Sequence, residues 1–133
     1  MPLDRAEATR LLNAMLDKAT YTAPSTGSGL MLRLTTANGD ATSPGTEVAN
    51  AGGSAYAPQN IKTSLPTAAN GTAANNAAST FTNMPSVTTV GVEVWDTAAT
   101  PRRQCYAALG ASKATSTGDS LTFAASALTF TLT

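Results

Sequence analysis

The sequence predicts a mainly β protein, an antiparallel β-sandwich or small barrel with one N-terminal α-helix. Three observations predict it. Large apolar residues alternate with polar ones over several short stretches, the period of a half-buried strand. Clusters of Gly, Asn, Asp and Pro separate those stretches. Only the opening segment, residues 4–19, repeats at the helical period.

The helix is expected over 4–19. Asp4 can accept a hydrogen bond from a free first-turn amide, and Glu7, three residues on, can reach back to the Asp4 amide in a capping box. Ala8, Leu11, Leu12, Met15, Leu16 and Ala19 then fall on one face, the simplest role of which is to cover the sheet. Thr20, Tyr21, Thr22 and the pre-proline Ala23 end the pattern before Pro24. Residues 25–29 read as a flexible joint.

Leu30, Leu32 and Leu34 alternate with Met31, Arg33 and Thr35 as a strand, and Asn38-Gly39-Asp40 marks the turn after it. Residues 42–53 read as a loop with a short extended piece at Glu47–Val48. A further strand is expected between Tyr56 and Leu65, broken by Pro58. Residues 67–80 are rich in Ala, but Asn70-Gly71 and Asn75-Asn76 favour turns and no apolar face exists to dock a helix, so a loop is expected. Val90, Val92 and Val94 alternate with Gly91, Glu93 and Trp95. After a turn at Asp96–Pro101, Arg103, Cys105, Ala107 and Leu109 continue the pattern. Gly118-Asp119 turns the chain into Leu121–Phe123. Leu128, Phe130 and Leu132 alternate with Thr129, Thr131 and Thr133, Thr being well suited to a half-wet pleated surface. The organisation that follows is an N-terminal helix or arm over 1–22 and a β-sandwich domain over 23–133.

Composition bounds the function. Apolar residues are 42% of the 133, but 26 of them are Ala, so the core rests on a limited set of larger side chains. Charged residues are 12%, about half the usual globular share, and Thr numbers 23. Such a surface is poor at repelling copies of itself, which points to contact with other subunits. A formal net charge of zero argues against nucleic acid, which needs clustered Lys and Arg, and against a polybasic membrane contact. No stretch approaches the length of a bilayer span. No signal peptide is visible, so synthesis in a cytoplasm is expected.

The order of elements carries a resemblance. A capped helix ending in Tyr21-Thr22-Ala23-Pro24 precedes a strand and a turn with Thr46-Glu47-Val48. Gly53-Ser54-Ala55-Tyr56-Ala57 follows, then the Val90–Asp96 strand, and the chain closes on Gly118-Asp119-Ser120-Leu121-Thr122-Phe123 and Ala127-Leu128-Thr129-Phe130-Thr131-Leu132. Over nearly its whole length the chain resembles a family of small tailed-phage virion proteins, variously labelled tail fibre, minor capsid or head decoration. It departs from that family's pattern at Gly53–Tyr56, where two residues separate the glycine from the aromatic ring, and at Pro58. The resemblance implies a structural part of a virion.

Chemistry is sparse. The chain has no His, which removes the commonest general base and metal ligand. Cys105, the single cysteine, permits no internal disulfide and sits among apolar residues where a thiol behaves as a small hydrophobe. Zinc sites are excluded by the same count. Asp40, Asp96 and Asp119 fall in turns, where Asp bonds its own backbone. Nothing suggests the opposed carboxylates of a glycosidase or a calcium ladder. Gly27-Ser28-Gly29 lacks the Lys and helix of a phosphate cradle. No catalytic residue, cofactor or metal is therefore expected. The candidate protein-contact residues are Arg102 and Arg103, read either as a solvated hairpin end or as a charged contact to a neighbour, with Trp95, Tyr56, Leu11 and Met15.

The expected function is a capsid decoration or cement protein on the virion surface, binding the major capsid protein and itself. A homotrimer is expected by analogy with the three-fold positions of shells, with repetition on the lattice supplying avidity. The alternative is a tail fibre or receptor-binding component using the loops at 38–55 and 67–80. An enzyme is the third and least supported reading.

Overall fold

The computed structural model describes residues 1–25, 27 and 29–132. The joint expected at 25–29 and the final Thr133 thus lie partly or wholly outside the described residues. The elements are α1 (Arg5–Met15), β1 (Met31–Ala37), β2 (Thr46–Glu47), β3 (Gln59–Asn60), a 3-10 turn (Lys62–Ser64), β4 (Thr72–Ala74), β5 (Ser79–Phe81), β6 (Val87–Trp95), β7 (Arg103–Thr115), β8 (Leu121–Phe123) and β9 (Thr129–Thr131).

All strand pairings are antiparallel. In the main sheet β6 lies between β1 and β7, and the outer edge of β1 is shared by β2 and β3. Two ribbons, β4–β9 and β5–β8, complete a sandwich with no closed barrel. Leu32, Leu34, Val92, Val94 and Cys105 of the sheet share one buried cluster with Phe81, Met84, Leu121 and Leu128. Phe81 stacks on Tyr56 at 5.7 Å between ring centroids and meets Phe123 edge-on at 6.2 Å. These are favoured aromatic geometries.

The strands announced by alternation stand where the sequence places them, but other segments differ. Residues 67–80 hold no helix, as expected, yet they are not simply a loop. They contain β4 and β5, whose partners β9 and β8 lie far along the chain. Asn75 is buried in place of turning at the surface. Its side-chain nitrogen donates to the carbonyls of Ala77 and Ala124, each at 2.8 Å, and its oxygen accepts from the Leu128 amide at 2.8 Å. The strand expected within Tyr56–Leu65 is reduced to Gln59–Asn60 and the 3-10 turn. β7 runs on to Thr115, with Leu109–Ser112 bulged opposite Val90 between the pairs Gly91–Ala108 and Thr89–Lys113.

The helix is shorter than residues 4–19. Asp4 caps it, accepting from the Ala6 amide at 2.8 Å, but the reciprocal half of the capping box does not form. The Asp4 amide instead donates to the Gln104 carbonyl at 3.0 Å, and Glu7 turns inward. The end is set by Asp17, in the left-handed region at φ 54°. Its amide bonds the Ala14 carbonyl and the Lys18 amide bonds that of Asn13, which is a Schellman closure. The β-branched residues further on are not what stops the helix.

Candidate interaction surface

The back face of the main sheet carries polar side chains. The register aligns Arg33, Glu93 and Tyr106 in one row and Met31, Trp95 and Arg103 in the next. Arg103 lies at the centre, with a side chain 3% exposed. Its Nε and Nη2 donate to Asp4 Oδ2 at 3.0 and 2.8 Å, and its Nη1 to Glu93 Oε1 and the Ser43 carbonyl, each at 2.8 Å. A further bond goes to the Asp40 carbonyl, and the guanidinium lies over the Tyr106 ring. Burial alone would lower the Arg103 pKa, but the bonds to Asp4 and Glu93 reverse this and raise it. Glu93 also accepts from the Gly45 amide at 2.7 Å and from the Trp95 indole at 3.0 Å. One guanidinium thus ties the helix cap and the 40–45 loop to the sheet. That planar, multi-donor task suits Arg and not Lys.

A second network holds the chain that follows the helix. Asp96 is 1% exposed and accepts from the amides of Ser25, Ala98 and Arg102, and from Arg102 Nε at 3.2 Å. Burial pushes the Asp96 carboxyl up, but these bonds outweigh it and hold its pKa below the ordinary value. Arg102 also donates to the Thr22 carbonyl at 3.3 Å and approaches Glu7 at 4.0 Å. Glu7 is 2% exposed. It accepts from the Tyr21 hydroxyl at 2.6 Å and from Arg10 at 2.7 Å. Burial, reinforced by the bond to Glu7, pushes Tyr21 up to about 12. Residues 1–25 are therefore pinned to their own sheet by polar contacts.

The six expected contact residues divide accordingly. Arg103 is not a solvated hairpin end and does not face outward, because its donors all meet acceptors of its own chain. Arg102 is largely engaged by Asp96. Tyr56 is 6% exposed and fills the gap on the β1 edge between β2 and β3. There its hydroxyl accepts from the Leu34 amide at 3.0 Å and donates to Glu47 at 3.3 Å. Trp95 is half-buried beneath the Arg33 guanidinium, 4.7 Å from its ring centroid. Leu11 and Met15 are different, because the helix does not dock by its apolar face. Leu12, Met15 and Leu16 are 53%, 81% and 56% exposed, and the helix residue that is buried is Glu7. The expectation that this face covers the sheet is corrected by the two polar networks, which fix the helix with its apolar stripe turned outward.

Beside that stripe lies an apolar groove of about 190 Å³, lined by Leu3, Leu11, Ala73, Phe130 and Leu132 among others. Leu132 is itself 60% exposed. Sequence reasoning missed Leu12, Leu16 and Leu132 as surface residues. The inward turn of Glu7 rotates the whole stripe away from the sheet, and no local signal in the sequence announces it. A second groove, of about 550 Å³, runs between the exposed far half of β7 and β8. Among the described residues no group of three or more His, Cys, Asp or Glu is placed to hold a metal ion. Asp40 and Asp119 bond amides of their own turns, as expected of turn aspartates. Burial raises the Cys105 thiol to about 12, in keeping with a small hydrophobe. Among the described residues no helix is long and apolar enough to cross a membrane.

Fold and surface together define a small antiparallel sandwich whose helix displays exposed apolar side chains. The chain belongs to the family of the Podophage GP4 fiber I protein gp80, whose family model matches residues 4–131. It is accordingly a phage structural protein, as the resemblance implied. No curated protein matches the chain.

Proposed function

We propose that this chain is a tail-fibre component that works by binding other protein surfaces. The observation that carries this reading is the family match over residues 4–131, whose description names a fibre protein. The expected capsid-decoration role, with the major capsid protein as partner, gains no support from that description. The proposed partners are therefore other tail subunits and further copies of the chain. The outward helix stripe favours a contact role, because an exposed row of large aliphatic side chains is costly in water and marks an interface. The loops considered for receptor binding favour it less. The 40–45 loop is tied down by Arg103, and residues 72–81 are largely strand and a buried Asn75. No step of the proposed role needs bond chemistry.

Immunogold labelling of whole particles tests the reading. Gold confined to the tail is the expected result, and gold over the head returns the chain to the decoration role. Replacement of Asp119 or Cys105 by Ala is expected to leave particle assembly and infectivity intact. Loss of infectivity with an intact fold and normal incorporation would point to chemistry instead.

A further inference from the structure

On α1 the exposed positions Arg5, Ala8, Leu12 and Met15 follow one another at alternating spacings of three and four residues. That is the seam spacing of helices that pack on helices. Leu16 widens the seam on one side and the groove at Leu11 on the other. We propose that this seam is a self-docking surface, on which a second copy of the chain lays its own α1 antiparallel about a two-fold axis midway between Ala8 and Leu12.

Charge selects this occupant and this direction. Arg5 is exposed in the first helical turn, and its guanidinium has no partner among the described residues. It lies at the end of its own helix where a cation is unfavourable. The last turn contains no basic residue to offset the negative end of the helix, and just beyond it Asp17 and Lys18 offset one another. An antiparallel partner places each Arg5 against the last turn of the other helix. A parallel arrangement, including a parallel trimer, brings the Arg5 side chains together instead. The contact is small. An eleven-residue helix is about 16 Å long, and two such seams bury less than the roughly 1,000 Å² typical of a stable interface. The pair is therefore weak in dilute solution and gains strength where an assembly raises local concentration. The proposal concerns self-association of the chain itself and stands whether the particle carries it on tail or head.

Sedimentation of the full chain over a concentration series is expected to show reversible monomer–dimer exchange. Leu12→Glu and Met15→Glu change exposed positions and leave the fold intact, verified by urea unfolding. Each is expected to raise the dissociation constant about tenfold or more. Arg5→Glu is expected to raise it several-fold. Disulfide trapping then reads direction. A mixture of the Ala8→Cys and Leu12→Cys chains is expected to cross-link, whereas Ala8→Cys alone is not, and the buried Cys105 does not interfere. A chain that stays monomeric up to ~1 mM overturns the proposal. So does a dimer indifferent to Leu12→Glu, or cross-linking of Ala8→Cys alone as readily as the mixture.

Discussion

The two faces of the main sheet are held by different physics. On the inner face, Leu32, Leu34, Val92 and Val94 meet Phe81 and Met84, and stability comes from apolar area removed from water. On the back face, Glu93 and Arg103 are covered by the helix cap and the 40–45 loop, and Arg33 pairs with Glu47, through charged hydrogen bonds. The inner face tolerates approximate shape, because aliphatic contact is non-directional. The back face does not, because a buried charge that loses its partner pays the full cost of desolvation. The back face therefore fixes where the N-terminal segment lies, and with it the direction in which α1 faces.

The comparison can be broken at either face. Arg103→Ala is expected to cost about 3–5 kcal/mol by leaving the Asp4 and Glu93 carboxylates without their counter-charge. Arg103→Lys should recover little of this, since an ammonium cannot reach all of those acceptors. Phe81→Ala on the inner face is expected to cost a similar ~3–5 kcal/mol, mostly as lost burial and cavity. Urea unfolding measures all three variants. A cost below about 1 kcal/mol for Arg103→Ala would show that the polar face is dispensable.

Gly39→Ala sharpens the comparison. A Cβ there would stand 2.6 Å from both Arg103 Nη1 and Glu93 Oε1 and 2.5 Å from the Gly45 amide nitrogen. Overpacking of this kind costs about 1–3 kcal/mol, and thermal melting at matched buffer checks it. The bend follows Asn38-Gly39-Asp40, at residues 41–43, and the glycine is needed for close approach to the ion network.

Acid separates the faces without mutation. The folded Asp96 carboxyl titrates below its ordinary value of 3.8. Its contribution is complete above that pH and is lost as pH falls through the lower folded value. Stability of the native chain is expected to decline below about pH 4. Asp96→Asn is expected to be less stable at neutral pH and to show a flatter acid limb, and an unchanged limb would remove Asp96 from the account. The smallest effect belongs to Asp17→Gly. Glycine adopts the left-handed conformation without penalty, so a gain of about 0.5–1 kcal/mol is expected in urea midpoints.

Much of the fold was legible because alternation is local. Leu32/Leu34 and Val92/Val94 show their inner-face role in their own spacing. β4 and β5 carry no such row of large side chains, and their pairing with β9 and β8 depends on residues far along the chain. The exposed helix stripe was half legible. Met15 and Leu11 stood out as apolar residues on a helix, but nothing local says that Glu7, on the same helix, would be the residue buried.

Side chains a few positions apart were enough to announce the alternating strands, the helix cap at Asp4 and the turn roles of Asp40 and Asp119. Only the tertiary structure decided which side of the helix faces water and which arginine is buried. Those outcomes depend on Asp4 meeting Arg103 and Glu7 meeting Tyr21, contacts that arise only when distant segments close on one another.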